Sequence, residues 1–148
     1  MVMHEDFDKI DRIARKVMGF REDEELEYDK VVEHYAFLLG YYATNLTDEE
    51  FVNIEYYESL NYSFNYCTGG CLEEYLYKDL NTDSLRLKAS ENVHYSAVLT
   101  GASKIVGRFN NLGLENMASI MGSAFYVIAN AIYNFEKDFE DDNSKVFS

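Results

Sequence analysis

From Asn116 to Phe135 the chain carries no charged side chain, and Met117, Ile120, Met121, Ala124, Val127, Ile128, Ala131 and Ile132 recur there at helical spacing. A helix with so broad an apolar face has to be enclosed by other elements. The longest nearly apolar run within it, Ala124 to Ile132, is far shorter than a membrane span. The stretch 114–139 is therefore predicted as the central, most buried helix of a helical domain. Its Ala118, Ser119, Gly122 and Ser123 would let a neighbouring helix approach closely. The 148 residues contain no proline, so the strongest helix breaker is missing throughout.

The rest of the chain is read against that helix. Glu5 to Met18 is predicted as a helix with Phe7, Ile10, Ile13, Ala14 and Val17 on its apolar face. Its acids come early and Arg12, Arg15 and Lys16 late, as the helix dipole prefers, and Gly19 ends it. A charged connector leads into a second helix with Val31, Val32, Tyr35, Leu38, Leu39 and Tyr42 facing inward; Gly40 weakens it without ending it. Thr47 and Glu50 form a capping box, so a third helix starts near Asp48 and continues through Phe51, Ile54 and Tyr57. From Leu60 the period changes: Leu60, Tyr62, Phe64 and Tyr66 alternate with polar residues, as in a strand, up to the Thr68-Gly69-Gly70 turn. Residues 60–80 are accordingly expected to form a small irregular or β-hairpin insert. A further helix is predicted from about Ser90 to Phe109, closed by Asn110 to Gly113. The fold class is mainly α: one domain, 1–148, a bundle of five or six helices. It divides into an acidic, Tyr-rich half (22–80), a basic-to-neutral half (84–139) and an acidic end (140–148) that frays.

Composition narrows the function. The formal net charge of −14 is carried by a chain that is 47% hydrophobic and 16% aromatic, outside the composition of a disordered polymer. Such a body repels DNA, RNA and anionic membranes and steers toward basic surfaces. No secretory pattern precedes the first helix, so an intracellular, cytoplasmic protein is expected.

Candidate chemical sites fail on spacing. Cys67 and Cys71 flank a tight turn without two further ligands for zinc, and His4, His34 and His94 are scattered. Glu91-x-x-His94 is one arm of a carboxylate-bridged di-metal site, with no second arm. Asp79-x-Asn81-x-Asp83 begins like a calcium loop, but Ser84 and Ser90 stand where glycine and the bidentate acid belong. Gly101 to Arg108 lacks the Gly-Lys-Ser/Thr ending of a phosphate loop. No metal or cofactor is expected. Arg86 and His94 invite comparison with the all-helical HEPN ribonucleases, although their spacing here is wider. A positively charged notch of Arg86, His94 and Arg108 is the enzymatic or sensing alternative. The competing reading is that Arg86, Lys88, Lys104 and Arg108 pair with acids of the first half.

The stretch from Val31 to Tyr77 holds no Lys or Arg and is dense in acids and tyrosines. Aromatic anchors rimmed by charge are the usual make-up of an interface centre. The expected partner-binding residues are Asp48, Glu49, Glu50, Glu55, Glu58, Glu73 and Glu74, with Tyr56, Tyr62 and Tyr66. The expected function is a non-enzymatic acidic inhibitor that occludes a basic, nucleic-acid-binding surface of another protein, with no direct nucleic-acid or membrane binding. A homo-oligomeric adaptor is the structural alternative. In size, acidity and lack of catalytic motifs the chain resembles small anti-defence inhibitors of phages, such as anti-CRISPR or anti-restriction proteins.

Overall fold

The computed structural model describes residues 4–76 and 92–147, with side chains described over 6–76 and 92–139. The described residues form a helical bundle: α1 (His4–Met18), α2 (Tyr28–Asn45), α3 (Asp48–Phe51), α4 (Ile54–Cys67), a 3-10 turn (Glu73–Tyr75), α5 (Val93–Asn111) and α6 (Glu115–Phe147). No strand occurs among them. The near-calcium loop at 79–83, Arg86, Lys88 and Glu91 lie outside the described residues.

Local chemistry accounts for most helix ends. Gly19, at φ +79°, takes the left-handed position that stops α1. The Thr47 hydroxyl accepts from the Glu50 amide while Glu50 accepts from the Thr47 amide, so α3 begins on the capping box. α3 lasts one turn. Asn53 then accepts from the Glu55 amide at 3.1 Å and starts α4 as a separate helix, which splits the predicted third helix in two. Of the two forms expected for residues 60–80, no hairpin occurs among the described residues, while the turn and 3-10 helix that follow Cys67 are irregular. Leu60 to Cys67 continues α4, where Leu60 and Phe64 are buried and Tyr62 is exposed. An alternation of period two is compatible with a helix when its two sets are themselves spaced i, i+4, as these are. Gly69 and Gly70, both at positive φ, form the predicted turn. At the other end, helical backbone runs on to Phe147, where fraying was expected.

α5, and not α6 as predicted, is the central helix: it lies between α2 and α6, with Gly101 letting it seat closely on α2 and Gly122 letting α6 close on its other side. α2 and α5 run in the same direction. His94 meets Asp29 and Glu33 near the start of α2, and Arg108 reaches the carbonyls of Tyr42, Ala43 and Leu46 at its end. α6 returns antiparallel, with Tyr95 against Tyr133 and Val106 against Gly122. α1 packs across α4. Its buried face is offset from the predicted stripe: Ala14 and Met18 are enclosed, whereas Phe7 and Ile13 are exposed. The core is aromatic. Tyr35 stacks on Phe64 at 4.1 Å, and Phe51, Tyr57, Phe109 and Phe125 form one cluster. Buried hydroxyls need acceptors, and these have them: Tyr35 donates to Asn61 at 2.5 Å and Tyr57 to the Phe51 carbonyl at 2.6 Å. Burial raises both phenols above their usual value, so they remain neutral donors.

Candidate functional site

α4 carries the acidic, aromatic surface. Its Tyr57, Leu60 and Phe64 bury one face, so residues about half a turn away face solvent. Glu55, Glu58, Tyr62 and Tyr66 are spaced by three and four residues and therefore form one ridge about 16 Å long. Tyr56, a further ~100° around the helix, leaves the ridge and sets its ring edge-on to Tyr42 at 6.4 Å. α3 places Asp48, Glu49 and Glu50 beyond the ridge's N-terminal end. Two of these acids already have partners: Asp48 binds Arg108 at 2.9 Å, and Glu50 closes the capping box. Glu49, Glu55 and Glu58 are exposed.

At the other end the ridge meets α1 in a groove of about 410 Å³. Phe7, Tyr62 and Tyr66 supply its aromatic walls, Asp11 and Glu73 its carboxylates, and the Gly69-Gly70 turn its floor. The Phe7 and Tyr66 rings are tilted 5.6 Å apart, and the Tyr66 hydroxyl donates to the Phe7 carbonyl at 3.4 Å. Asn65 donates to Glu73 at 3.1 Å and holds that carboxylate at the rim. Asp11 accepts from Arg15 through both oxygens, at 3.0 and 3.2 Å. Desolvation, then the negative charge of Asp11 and Asp8, raises the Tyr66 phenol above its usual value. Glu74 is exposed beside Glu73 on the 3-10 turn. Tyr62, 60% exposed, is the most open aromatic of α4.

The structure thus joins Tyr62, Tyr66 and Glu73 in one groove and lines up Glu55 and Glu58 on the same ridge. It gives Asp48, Glu50 and Tyr56 structural partners. Sequence reasoning missed Phe7 and Asp11, having assigned Phe7 to the core. The acids Asp6, Asp8 and Asp11 along the opening helix were the available signal.

Arg108 and His94 make their contacts within the fold. Arg108 donates to the carbonyls of Tyr42, Ala43 and Leu46 and stacks over Phe51 at 4.3 Å, which caps the end of α2. His94 sits about 21 Å away along α5. Its Nδ1 lies 3.1 Å from Glu136, which also accepts from the Tyr28 hydroxyl at 3.0 Å. Glu33 approaches Nε2 at 3.8 Å. His94 and Arg108 are therefore not brought together. Of the cations proposed to tie the halves, Arg108 does so; Lys104 forms no ion pair among the described residues. The thiols are free. Burial pushes Cys67 up to about 11 and raises Cys71, so both sit largely as thiols packed against the core. Among the described residues no group of three or more His, Cys, Asp or Glu is arranged to hold a metal ion. Nor is any helix among them long and apolar enough to cross a membrane.

No protein-family model matches the chain, and no curated protein or solved structure matches it.

Proposed function

We propose that the chain is a non-enzymatic, acidic binding protein that occludes a basic, nucleic-acid-binding surface of another protein. The observation that supports this reading is the α4 ridge, where Glu55 and Glu58 lead along one helix face to the aromatic groove of Tyr62, Tyr66 and Phe7. Carboxylates at helical intervals stand in for phosphates. The tyrosines fill the apolar gaps between cationic side chains and offer their ring faces to guanidinium groups. A net charge of −14 adds long-range attraction to a basic partner and excludes nucleic acid from the same surface. By this reading the protein works inside cells, in the manner of the phage anti-defence inhibitors that it resembles in composition.

The test is a tagged pull-down from a host lysate, washed at low and high salt, with Glu55→Lys/Glu58→Lys beside the parent protein. Retention of a nucleic-acid-binding protein at low salt, weakened by salt and by the double reversal, is the expected result. Equal capture by parent and reversed chains, both folded, overturns the assignment of this ridge.

A further inference from the structure

We propose that the seam between α2 and α5, a surface separate from the α4 ridge, is where a second copy of the chain docks about a two-fold axis. The seam exists because α5 has no side chain at the crossing: a Cβ on Gly101 would stand 2.8 Å from Leu39 Cβ and 3.2 Å from the Ala36 carbonyl oxygen. On the outer side, a Cβ on Gly40 would meet nothing within 4 Å. The result is a groove of about 580 Å³ floored by Ala36, Gly40, Ala97 and Gly101. Phe37, 62% exposed, and Tyr41, 44% exposed, stand along its α2 rim, their rings 6.3 Å apart. Val93, 76% exposed, lies one turn before Ala97 on the same face of α5. Large apolar side chains so open beside a small-residue floor give knobs and a hole on one surface.

Charge selects the occupant. The groove has one acid, Glu33, and one base, Lys104. Because α2 and α5 are parallel and Glu33 lies at the level of His94, Lys104 sits about 15 Å further along. An acid at one end and, toward the other, a cation with no ion pair among the described residues are self-complementary under a two-fold axis across the groove. Glu33 of each copy then meets Lys104 of the other. A basic partner is disfavoured here by Lys104, and nucleic acid or an anionic membrane by the net charge. Two helices of this length present a face of roughly 27 by 20 Å, near the lower end of specific interfaces, so the dimer is reversible. Repulsion between two chains of charge −14 is screened by salt, so moderate salt favours this association while it weakens binding to a basic partner.

The experiment is sedimentation equilibrium of the purified full-length chain across concentration, for the parent, Glu33→Lys, Lys104→Glu and an equimolar mixture of the two variants. Both side chains are exposed, and helical circular dichroism checks folding. The parent is expected to approach twice its monomer mass, and each reversal to weaken self-association at least about tenfold. The mixture is expected to recover it, because a heterodimer of the two variants restores both pairs of opposite charge. A parent that stays monomeric throughout, variants that dimerise like the parent, or a mixture no heavier than its components overturns the proposal.

Discussion

Replacing Arg108 by Met removes the guanidinium and keeps much of the aliphatic stem, so the loss isolates the charged head. That head makes a 2.6 Å bond to the Leu46 carbonyl and shares a second nitrogen between Tyr42 and Ala43 at 3.3 and 3.2 Å. Hydrogen bonds from a charged group contribute about 1.5–3 kcal/mol each when enclosed. The side chain is 20% exposed, so water recovers part of that, and about 1 kcal/mol for each of the two sets is reasonable. The contact with Phe51 adds about 1 kcal/mol. Asp48 is mostly exposed, and its ion pair adds between about 0 and 1 kcal/mol. The expected cost of Arg108→Met is therefore about 3 kcal/mol, read by urea denaturation followed by circular dichroism. In a chain of this size it corresponds to a fall of roughly 6–12 °C in Tm. Arg108→Lys regains little, because an ammonium cannot span the carbonyls and the ring together. Asp48→Asn costs less than about 1 kcal/mol. A loss below about 1 kcal/mol for Arg108→Met, or an equal loss for Asp48→Asn, refutes the capping role.

Three other perturbations probe separate parts of the fold. Gly101→Ala forces α2 and α5 apart and should cost about 1–3 kcal/mol, whereas Gly40→Ala meets open space and should stabilise the monomer by about 0.5–1 kcal/mol; the two denaturation midpoints should move in opposite directions. Asn130 is buried with neither side-chain polar atom hydrogen-bonded among the described residues, so Asn130→Leu should leave stability unchanged or raise it by about 1 kcal/mol, and a fall beyond that range counts against the placement. Burial of His34 lowers its pKa from the usual 6.5, with Glu24 opposing and Lys30 assisting. The unfolded chain then binds the proton more readily, so stability is full above about pH 6.5 and declines as the pH falls below it. His34→Gln should flatten that part of a stability-versus-pH curve.

Legibility in the sequence followed the range of the interactions. The capping box at Thr47 and Glu50 and the stop at Gly19 are set by neighbours within a turn, and the structure contains both. The α6 face was legible in part, since Met121, Ile128, Ala131 and Ile132 are buried while Ile120 is 55% exposed and Phe125 and Ala129 are enclosed in its place. The hairpin expectation failed because the alternation from Leu60 to Tyr66 fits both periods. The cue that decides between them is the Asn53 cap, which starts α4 at Ile54, well before the alternation begins. The offset of α1 was illegible for another reason. Which of its apolar residues are enclosed depends on where α4 crosses it, and Phe7 faces Tyr66 in the groove where Ala14 and Met18 face the core. Arg108 was legible as a cation that pairs with an acid of the first half, as it does with Asp48, but not as a cap on α2. The carbonyls it caps lie more than 60 residues away in the chain, and no local pattern marks a side chain that caps another helix. The acidic, aromatic character of the α4 surface was legible from composition, and its division into ridge, groove and structurally engaged acids was not.

The measurement that tests the central claim most directly is competition. A nucleic-acid-binding protein captured by the chain is held with a fluorescent nucleic acid, and anisotropy is followed as the parent chain or Glu55→Lys/Glu58→Lys/Tyr62→Ala is added. Release of the nucleic acid by the parent, with the folded triple variant weaker by at least about a hundredfold, is the predicted result. Binding of the parent without release of nucleic acid, or equal competition by parent and variant, would contradict it.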